Sequence, residues 1–290
     1  MRIVPLLLAP LALLAAACGA GDPPAGGAGE RTGQAPPPAS PAQQIYEANA
    51  TVLDDGERGP MLCLGGIALS LPPQCGDVPV TGWDWTAVEG EEKASGTTWG
   101  MYHVVGLFDG KTFAVTEAQL LEDGFGDGMT VPDFTSPCTE PAGGWPGLDA
   151  VTQNEAGPVH AYARSQPEYV TSWVTHLGPR PSEFSPVVVN VVFTKDAERH
   201  EAEMRKIWEG PLCVVERDVP SARELARIRR EAEGALAGLG LQMLWSTGPA
   251  VEAVIEIGVV ADFGGKGQAA FDERYGEGLI RLVPALKPIT

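Results

Sequence analysis

The five cysteines carry the chemistry most directly readable from this chain. Cys18 closes a run that opens with Met1 and Arg2, continues as an apolar stretch over 3–17, and ends in Ala15, Ala16 and Ala17. That stretch is too short for an ordinary membrane span and finishes in a small-residue cleavage pattern, so it predicts a lipoprotein signal peptide over 1–17. Cys18 then becomes the lipidation site. A diacylglycerol on it supplies the two acyl chains that stable anchoring requires. The expectation is a chain on the extracytoplasmic face of the cell membrane, whose lipid partner is reached through Cys18. Ala15 stands where such signals favour Leu, which keeps plain secretion with a free Cys18 as the alternative.

The remaining four, Cys63, Cys75, Cys138 and Cys213, form an even set outside the cytoplasm and read as two disulfides. Three pairings are open; Cys63–Cys75, the short local loop, with Cys138–Cys213 is the one expected. Zinc would need closely spaced cysteine pairs, and the spacing here is wrong for it. The segment 123–128 resembles a calcium loop, but Phe125 replaces a ligand and Phe134 the closing Glu. No metal and no cofactor are expected.

Behind the first pair of cysteines lie Trp83, Asp84 and Trp85, with Trp99 further on. An aromatic platform with Asp84 as polar clamp is one reading, suited to sugar or peptide; filling the core of a small domain is the other. Asp84, Glu89, Glu91 and Glu92 are the carboxylates a glycan hydrolase would draw on, given a separation of about 5–9 Å. No nucleophile elbow or phosphate loop is present; Gly264-Gly265-Lys266-Gly267 lacks the following Ser or Thr. His200-Glu201 has Met204 where a zinc protease needs its second His. No catalytic residue is assigned.

The net charge of -18 disfavours nucleic acid and anionic lipid head groups. Residues 18–43 are rich in Gly, Ala and Pro, including Pro36, Pro37 and Pro38, and read as a disordered linker.

Two folded regions must position everything else. Residues 44–141 read as a small β-barrel or curled sheet, OB-like by strand count. Within it, Asp109-Gly110 between the runs 99–108 and 111–116 is a hairpin signal in which both positions tolerate positive φ. Residues 147–290 read as α+β, an α/β sandwich. Val187 to Phe193 is apolar on both faces and predicts a central strand. Val251 to Val259 alternates, with Glu252 and Glu256 on the wetter face. Ser221 and Glu224 form a capping box that opens a helix with Leu225, Ile228, Ala232, Ala235 and Leu239 on one face. The stretch 212–286 alone reads β-α-β-β-α-β, a ferredoxin-like order.

This region also looks duplicated, with copies over 154–215 and 221–282. Segment 204–208 followed by 212–215 matches 271–275 followed by 279–282, and the same offset lays 187–193 on 254–260. Each copy would be helix, strand, strand, helix, strand, with Gly157-Pro158 spoiling the first helix. One continuous sheet is expected, with Trp208 and Tyr275 in equivalent buried places.

Cys63-Leu64-Gly65-Gly66, Leu71-Pro72-Pro73-Gln74-Cys75, Gly82-Trp83-Asp84-Trp85, Pro137-Cys138-Thr139-Glu140-Pro141 and Gly210-Pro211-Leu212-Cys213 resemble a family of secreted actinobacterial lipoproteins of no established activity. The likeness covers most of the chain after the signal. It implies the compartment, the domain extent and the cysteines, and it supplies no catalytic residues.

The favoured function is therefore a membrane-anchored, non-catalytic binding or scaffolding module of the cell envelope. Its partner would be another envelope protein or a cell-wall component, with no nucleic acid. An envelope hydrolase acting on glycan, and a small-molecule sensor or inhibitor-like module, are the alternatives.

Overall fold

The computed structural model describes residues 44–68, 70–121, 132–147, 156–178, 185–248 and 251–289. It is mixed α+β, with one large seven-stranded sheet and two sheets of three strands. Residues 43–290 pack as a single unit.

The large sheet begins with β1 (Ile45–Asp54), β2 (Met61–Cys63), β3 (Val78–Thr81), β4 (Glu92–Ala94), β5 (Thr97–Phe108) and β6 (Phe113–Leu120). Its pairings close on themselves: β1 pairs with β2, β2 with β3, β3 with β6, β6 with β5, and β5 again with β1. The β3–β6 contact is parallel and the others are antiparallel. Closure removes exposed edges and gives a continuous interior. Alternate residues of β1, namely Tyr46, Ala48, Ala50 and Val52, fill that interior with Leu62, Val78, Val80, Tyr102, Val104 and Phe113. A register shift at Val105/Gly106 bends β5 around the ring. Only glycine serves there, because a Cβ on Gly106 would collide with the Ala114 carbonyl oxygen.

The β5–β6 hairpin departs from the expected turn. Gly110 alone has positive φ (96°), while the Asp109 carboxylate accepts the backbone N–H groups of Lys111 (2.8 Å) and Thr112 (2.7 Å). Aspartate contributes through its side chain, as an Asx-type turn.

The rest of the chain holds two successive α-β-β-α-β units. The first is α1 (Gly157–Ser165), β7 (Tyr169–His176), β8 (Val187–Phe193), α2 (Ala197–Met204) and β9 (Leu212–Glu216). The second is α3 (Ala222–Ala235), β10 (Met243–Ser246), β11 (Ile255–Val259), α4 (Lys266–Tyr275) and β12 (Ile280–Pro284). In each, an antiparallel hairpin is followed by a helical crossover to a parallel third strand. Pro158 does not spoil α1: it sits in the first turn, where its missing N–H has no intrahelical partner to lose.

The single continuous sheet expected for this region does not form. β9 pairs with β8, so the strands sort into β7-β8-β9 and β10-β11-β12. The ferredoxin-like arrangement over 212–286 would need β9 in the β10–β12 sheet, but β9 lies in the other sheet, with β7 and β8. β8 is buried along its whole length. One face, with Val189, Val191 and Phe193, packs on Val159, Ala163, Met204 and Trp208. The other, through Val192 together with Val170 and Trp173 of β7, shares a core with Leu225, Ile228, Ile255, Ile257 and Phe271. Leu239, expected on the buried face of α3, is 41% exposed, and Leu236 takes the buried place as the chain tightens into a 3-10 turn.

The chain end returns to the first sheet. Val260, Ala261 and Leu286 enter the barrel core, and β13 (Lys287–Pro288) pairs with β1.

Candidate functional site

β2 ends at Cys63, and the chain leaves the barrel as a loop that returns at Cys75. These two cysteines are joined, with Cα atoms 5.5 Å apart. The base of the loop is held from three sides. The Asp77 carboxylate accepts the N–H groups of Leu64 (2.7 Å) and Gly65 (2.9 Å). Arg58 donates to the Cys75 carbonyl at 3.3 Å while its Nε pairs with Asp55 at 2.7 Å. The backbone N–H of Arg58, then its side chain and the N–H of Glu57, hold the Asp55 carboxyl at about 2, so it stays charged. Beneath, Ile67 packs on the small cluster of Leu53, Cys63 and Trp99.

The upper part of the loop is tied to itself. Ala68 N–H donates to the Gln74 carbonyl (3.0 Å), Ser70 N–H to the Ala68 carbonyl (2.8 Å), and Ser70 Oγ to the Pro72 carbonyl (2.7 Å). Pro72 and Pro73 fix two further φ angles. Leu71, at the outer end, is 80% exposed. Ala68, Ser70 and Gln74 are exposed too, while the prolines are half-buried against a groove shared with Leu53, Asp55, Arg58 and Thr97. Leu69 lies outside the described residues.

The four residues of the expected aromatic platform do not form one surface. Trp83 and Trp85 meet edge to face at 5.3 Å and pack on Tyr102, at 4.9 and 6.3 Å. Both are half-buried against the barrel core. Trp99 is 8% exposed and sits behind the Cys63–Cys75 bridge, in a separate cluster. Asp84 is exposed, and its carboxylate accepts the hydroxyl (2.7 Å) and backbone N–H (2.8 Å) of Thr86. Those bonds, the hydroxyl first, lower its pKa. Glu91 is lowered likewise, first by its own backbone N–H and then by Lys93. A glycosidase acid needs a carboxyl pushed the other way.

The other cysteine pair, Cys138 and Cys213, is joined at a Cα separation of 5.8 Å and straps the segment before it across the β7-β8-β9 sheet. Thr175 Oγ1 donates to the Phe134 carbonyl (2.6 Å) and Trp173 Nε1 to that of Thr135 (3.3 Å). Glu256, expected on an open face, forms an ion pair with Arg281, its Nε 2.9 Å away. Among the described residues no three His, Cys, Asp or Glu side chains are grouped to hold a metal, and no helix is long and apolar enough to cross a membrane. Cys18 and the segment 123–128 lie outside the described residues.

Two further polar clusters escaped the sequence. His160 Nδ1 lies 2.8 Å from Ser172 Oγ, which also meets the Tyr169 hydroxyl at 2.9 Å. His200 lies between the Tyr162 hydroxyl (3.1 Å) and Arg199 (3.0 Å). His160 and Ser172 lie 12 residues apart, and Tyr162 and His200 lie 38 apart, so no short motif announces either contact. The supports of the loop, Asp77 and Arg58, were equally silent. The Pro72-Pro73 pair between two cysteines was the signal for the loop itself.

Comparison with known proteins finds no matching family model, no similar curated protein and no similar solved structure.

Proposed function

We propose that this chain is an extracytoplasmic binding module, non-catalytic and tethered to the membrane through Cys18, whose working surface is the Cys63–Cys75 loop. The observation that carries the reading is the state of Leu71. Leu71, 80% exposed at the outer end of a loop stapled at its base, offers a partner a pre-shaped apolar contact. The ring order β1-β2-β3-β6-β5 supports an OB-like barrel, a fold whose ligands bind on the face of strands two and three and at the loops joining strands one to two and four to five. Here the loop joins β2 to β3. The repeated α-β-β-α-β order supports an internal duplication behind the barrel. The resemblance to actinobacterial lipoproteins supports the compartment.

Two measurements test this. Cys18→Ala in the full chain is expected to release the protein from the membrane fraction or to leave an uncut precursor; membrane retention at the mature mass refutes the tether. Capture of envelope proteins or cell-wall material on the immobilised chain is expected to be lost with Leu71→Asp. Capture unchanged by that substitution refutes the loop as the working surface.

A further inference from the structure

Resting on the tether in that reading, we propose that the chain-entry end of the barrel is a lipid-contacting face. It seats on the surface of a phospholipid bilayer containing anionic lipid, and so turns the Cys63–Cys75 loop away from the membrane.

The apolar part of the face is built where the two ends of the described chain meet. Ile289 N–H donates to the Ile45 carbonyl at 2.9 Å, and Gln44 Nε2 donates to the carbonyls of both residues, at 2.9 Å each. Ile45 stands opposite Leu107 in the β1–β5 register. At the same end of the barrel Phe263 stacks on Phe108, with ring centroids 5.9 Å apart and planes 6° from parallel. It meets Tyr46 edge to face at 6.3 Å. This packing leaves Ile45, Phe263 and Ile289 exposed, three of the eight large apolar side chains so left among the described residues. Scattered apolar side chains need no partner, but a group of them at one end does.

Charge selects the partner. Three of the six lysines in the chain, Lys111, Lys266 and Lys287, flank these residues. Lys111 follows Gly110, where a Cβ would lie 3.9 Å from the Phe263 ring. Lys266 is three residues beyond Phe263, and Lys287 two before Ile289. All three are exposed, and none forms an ion pair among the described residues, whereas Lys93 and Lys206 do. The acids nearby are engaged elsewhere. Asp109 accepts the N–H groups of Lys111 and Thr112. Asp262 accepts those of Gly267 (2.8 Å) and Gln268 (3.0 Å). Glu47 lies 3.5 Å from His103 Nε2. In a protein of net charge -18, this end therefore offers unpaired ammonium groups around an apolar centre. Lysine stems lie along apolar surface while their heads reach lipid phosphates, and basic residues beside a membrane are drawn to anionic lipid.

Gln44 is the described residue nearest Cys18 in sequence, so the tether delivers this end to the bilayer. A face of this size does not hold a protein on lipid unaided; stable attachment takes a second signal, which the anchor supplies. The tether raises the effective concentration of the face at the membrane, and the face then fixes orientation. β1 runs from Ile45 at this end to Leu53, which packs beneath the disulfide loop. Seating one end on lipid points the other outward.

The test couples the chain 18–290 through the Cys18 thiol to a maleimide head group in vesicles of phosphatidylcholine and phosphatidylglycerol. The other four cysteines are bridged, so Cys18 is the reactive thiol. The vesicles also carry a phospholipid with a photoreactive diazirine in its acyl chain, and lipid adducts are mapped by mass spectrometry after illumination. Peptides holding Ile45, Phe108, Phe263 and Ile289 should be labelled about tenfold more than the peptide 63–75. Phe263→Asp with Ile289→Asp should lower labelling at Ile45 and Phe108 by about fivefold or more, with circular dichroism unchanged. Lys111→Glu, Lys266→Glu and Lys287→Glu together should lower it by about threefold or more at low salt. Labelling spread evenly over the barrel, labelling concentrated on the loop, or a Phe263→Asp, Ile289→Asp chain labelled like its parent would each overturn the proposal. Sedimentation of the uncoupled chain should show a monomer; a dimer lost with Phe263→Asp would make a second copy the occupant and overturn the lipid face. The chemical coupling separates the two readings. Membrane retention of Cys18→Ala at the mature mass, with the labelling pattern intact, would remove the native tether and leave the face. Native anchoring without the labelling pattern would remove the face alone.

Discussion

The Asp77 carboxylate caps the backbone N–H of Leu64 at 2.7 Å, two strands' ends meeting through one side chain at the base of the disulfide loop. Its second bond, to the Gly65 N–H at 2.9 Å, uses the same oxygen. Asp77→Ala strands two part-buried donors and is expected to lower stability by about 1–3 kcal/mol in urea unfolding. Asp77→Asn, which keeps an acceptor oxygen, should recover a good part of that loss.

The two bridges differ in span, 12 residues for Cys63–Cys75 and 75 for Cys138–Cys213. Chain entropy then predicts a contribution of about 3 kcal/mol for the first and about 4–5 kcal/mol for the second. Removing each pair as a double Cys→Ser variant and comparing unfolding midpoints checks the order. Non-reducing peptide mapping should recover these two pairs and no other.

Trp208 is 3% exposed and its Nε1 donates to the Pro211 carbonyl at 3.0 Å. Trp208→Ala should cost about 3–5 kcal/mol, as for any large aromatic taken from a core. Tyr275 is only partly buried, and its hydroxyl is enclosed without a hydrogen-bond partner. Tyr275→Phe is therefore expected to be neutral or stabilising, by up to about 1 kcal/mol. The contrast also shows the limit of the two positions' equivalence: Trp208 lies beyond the end of α2, while Tyr275 is the last residue of α4.

His200 is fully buried, with the Phe193 ring stacked on it at 3.9 Å. Burial, then the Arg199 charge, pushes its pKa below the usual range, against the pull of Glu168 and Asp196. Burial and Arg164 push His160 the same way. The folded protein thus holds both rings neutral where the unfolded chain would take up protons. Stability is complete above the unfolded value of about 6.5 and falls as pH drops from there toward the lowered folded values. Urea midpoints measured from about pH 7.5 to about 5 should decline, and His200→Gln should flatten the decline.

Legibility in the sequence followed the range of the interaction. The capping box of Ser221 and Glu224 was readable because its partners sit three residues apart; both reciprocal bonds form, Ser221 N–H to Glu224 at 2.8 Å among them. The burial of Val187–Phe193 followed from its unbroken apolar run. What no local pattern encodes is the choice of neighbour. β9 reads equally well as partner to β8 or to β10–β12, and the pairing of Lys287 with Glu47 joins strands far apart in the sequence. The tryptophans failed to group for the same reason. Trp83 and Trp85 turn onto Tyr102, while Trp99, on β5, meets the far side of the disulfide.

The long β1–β5 ladder has a mechanical meaning. Its register runs from Ile45 opposite Leu107 to Asp54 opposite Thr98, about 30 Å of paired strand. The chain enters at Gln44, whereas the disulfide loop sits toward the opposite end, beside Leu53 and Thr97. A pull between the entry point and a partner gripping the loop runs along β1 rather than across it. Hydrogen bonds loaded in that direction share the force and must slip together, whereas a sideways peel would break them one at a time. With the tether and the loop contact proposed above, the barrel would be oriented as a shear-resistant link between them.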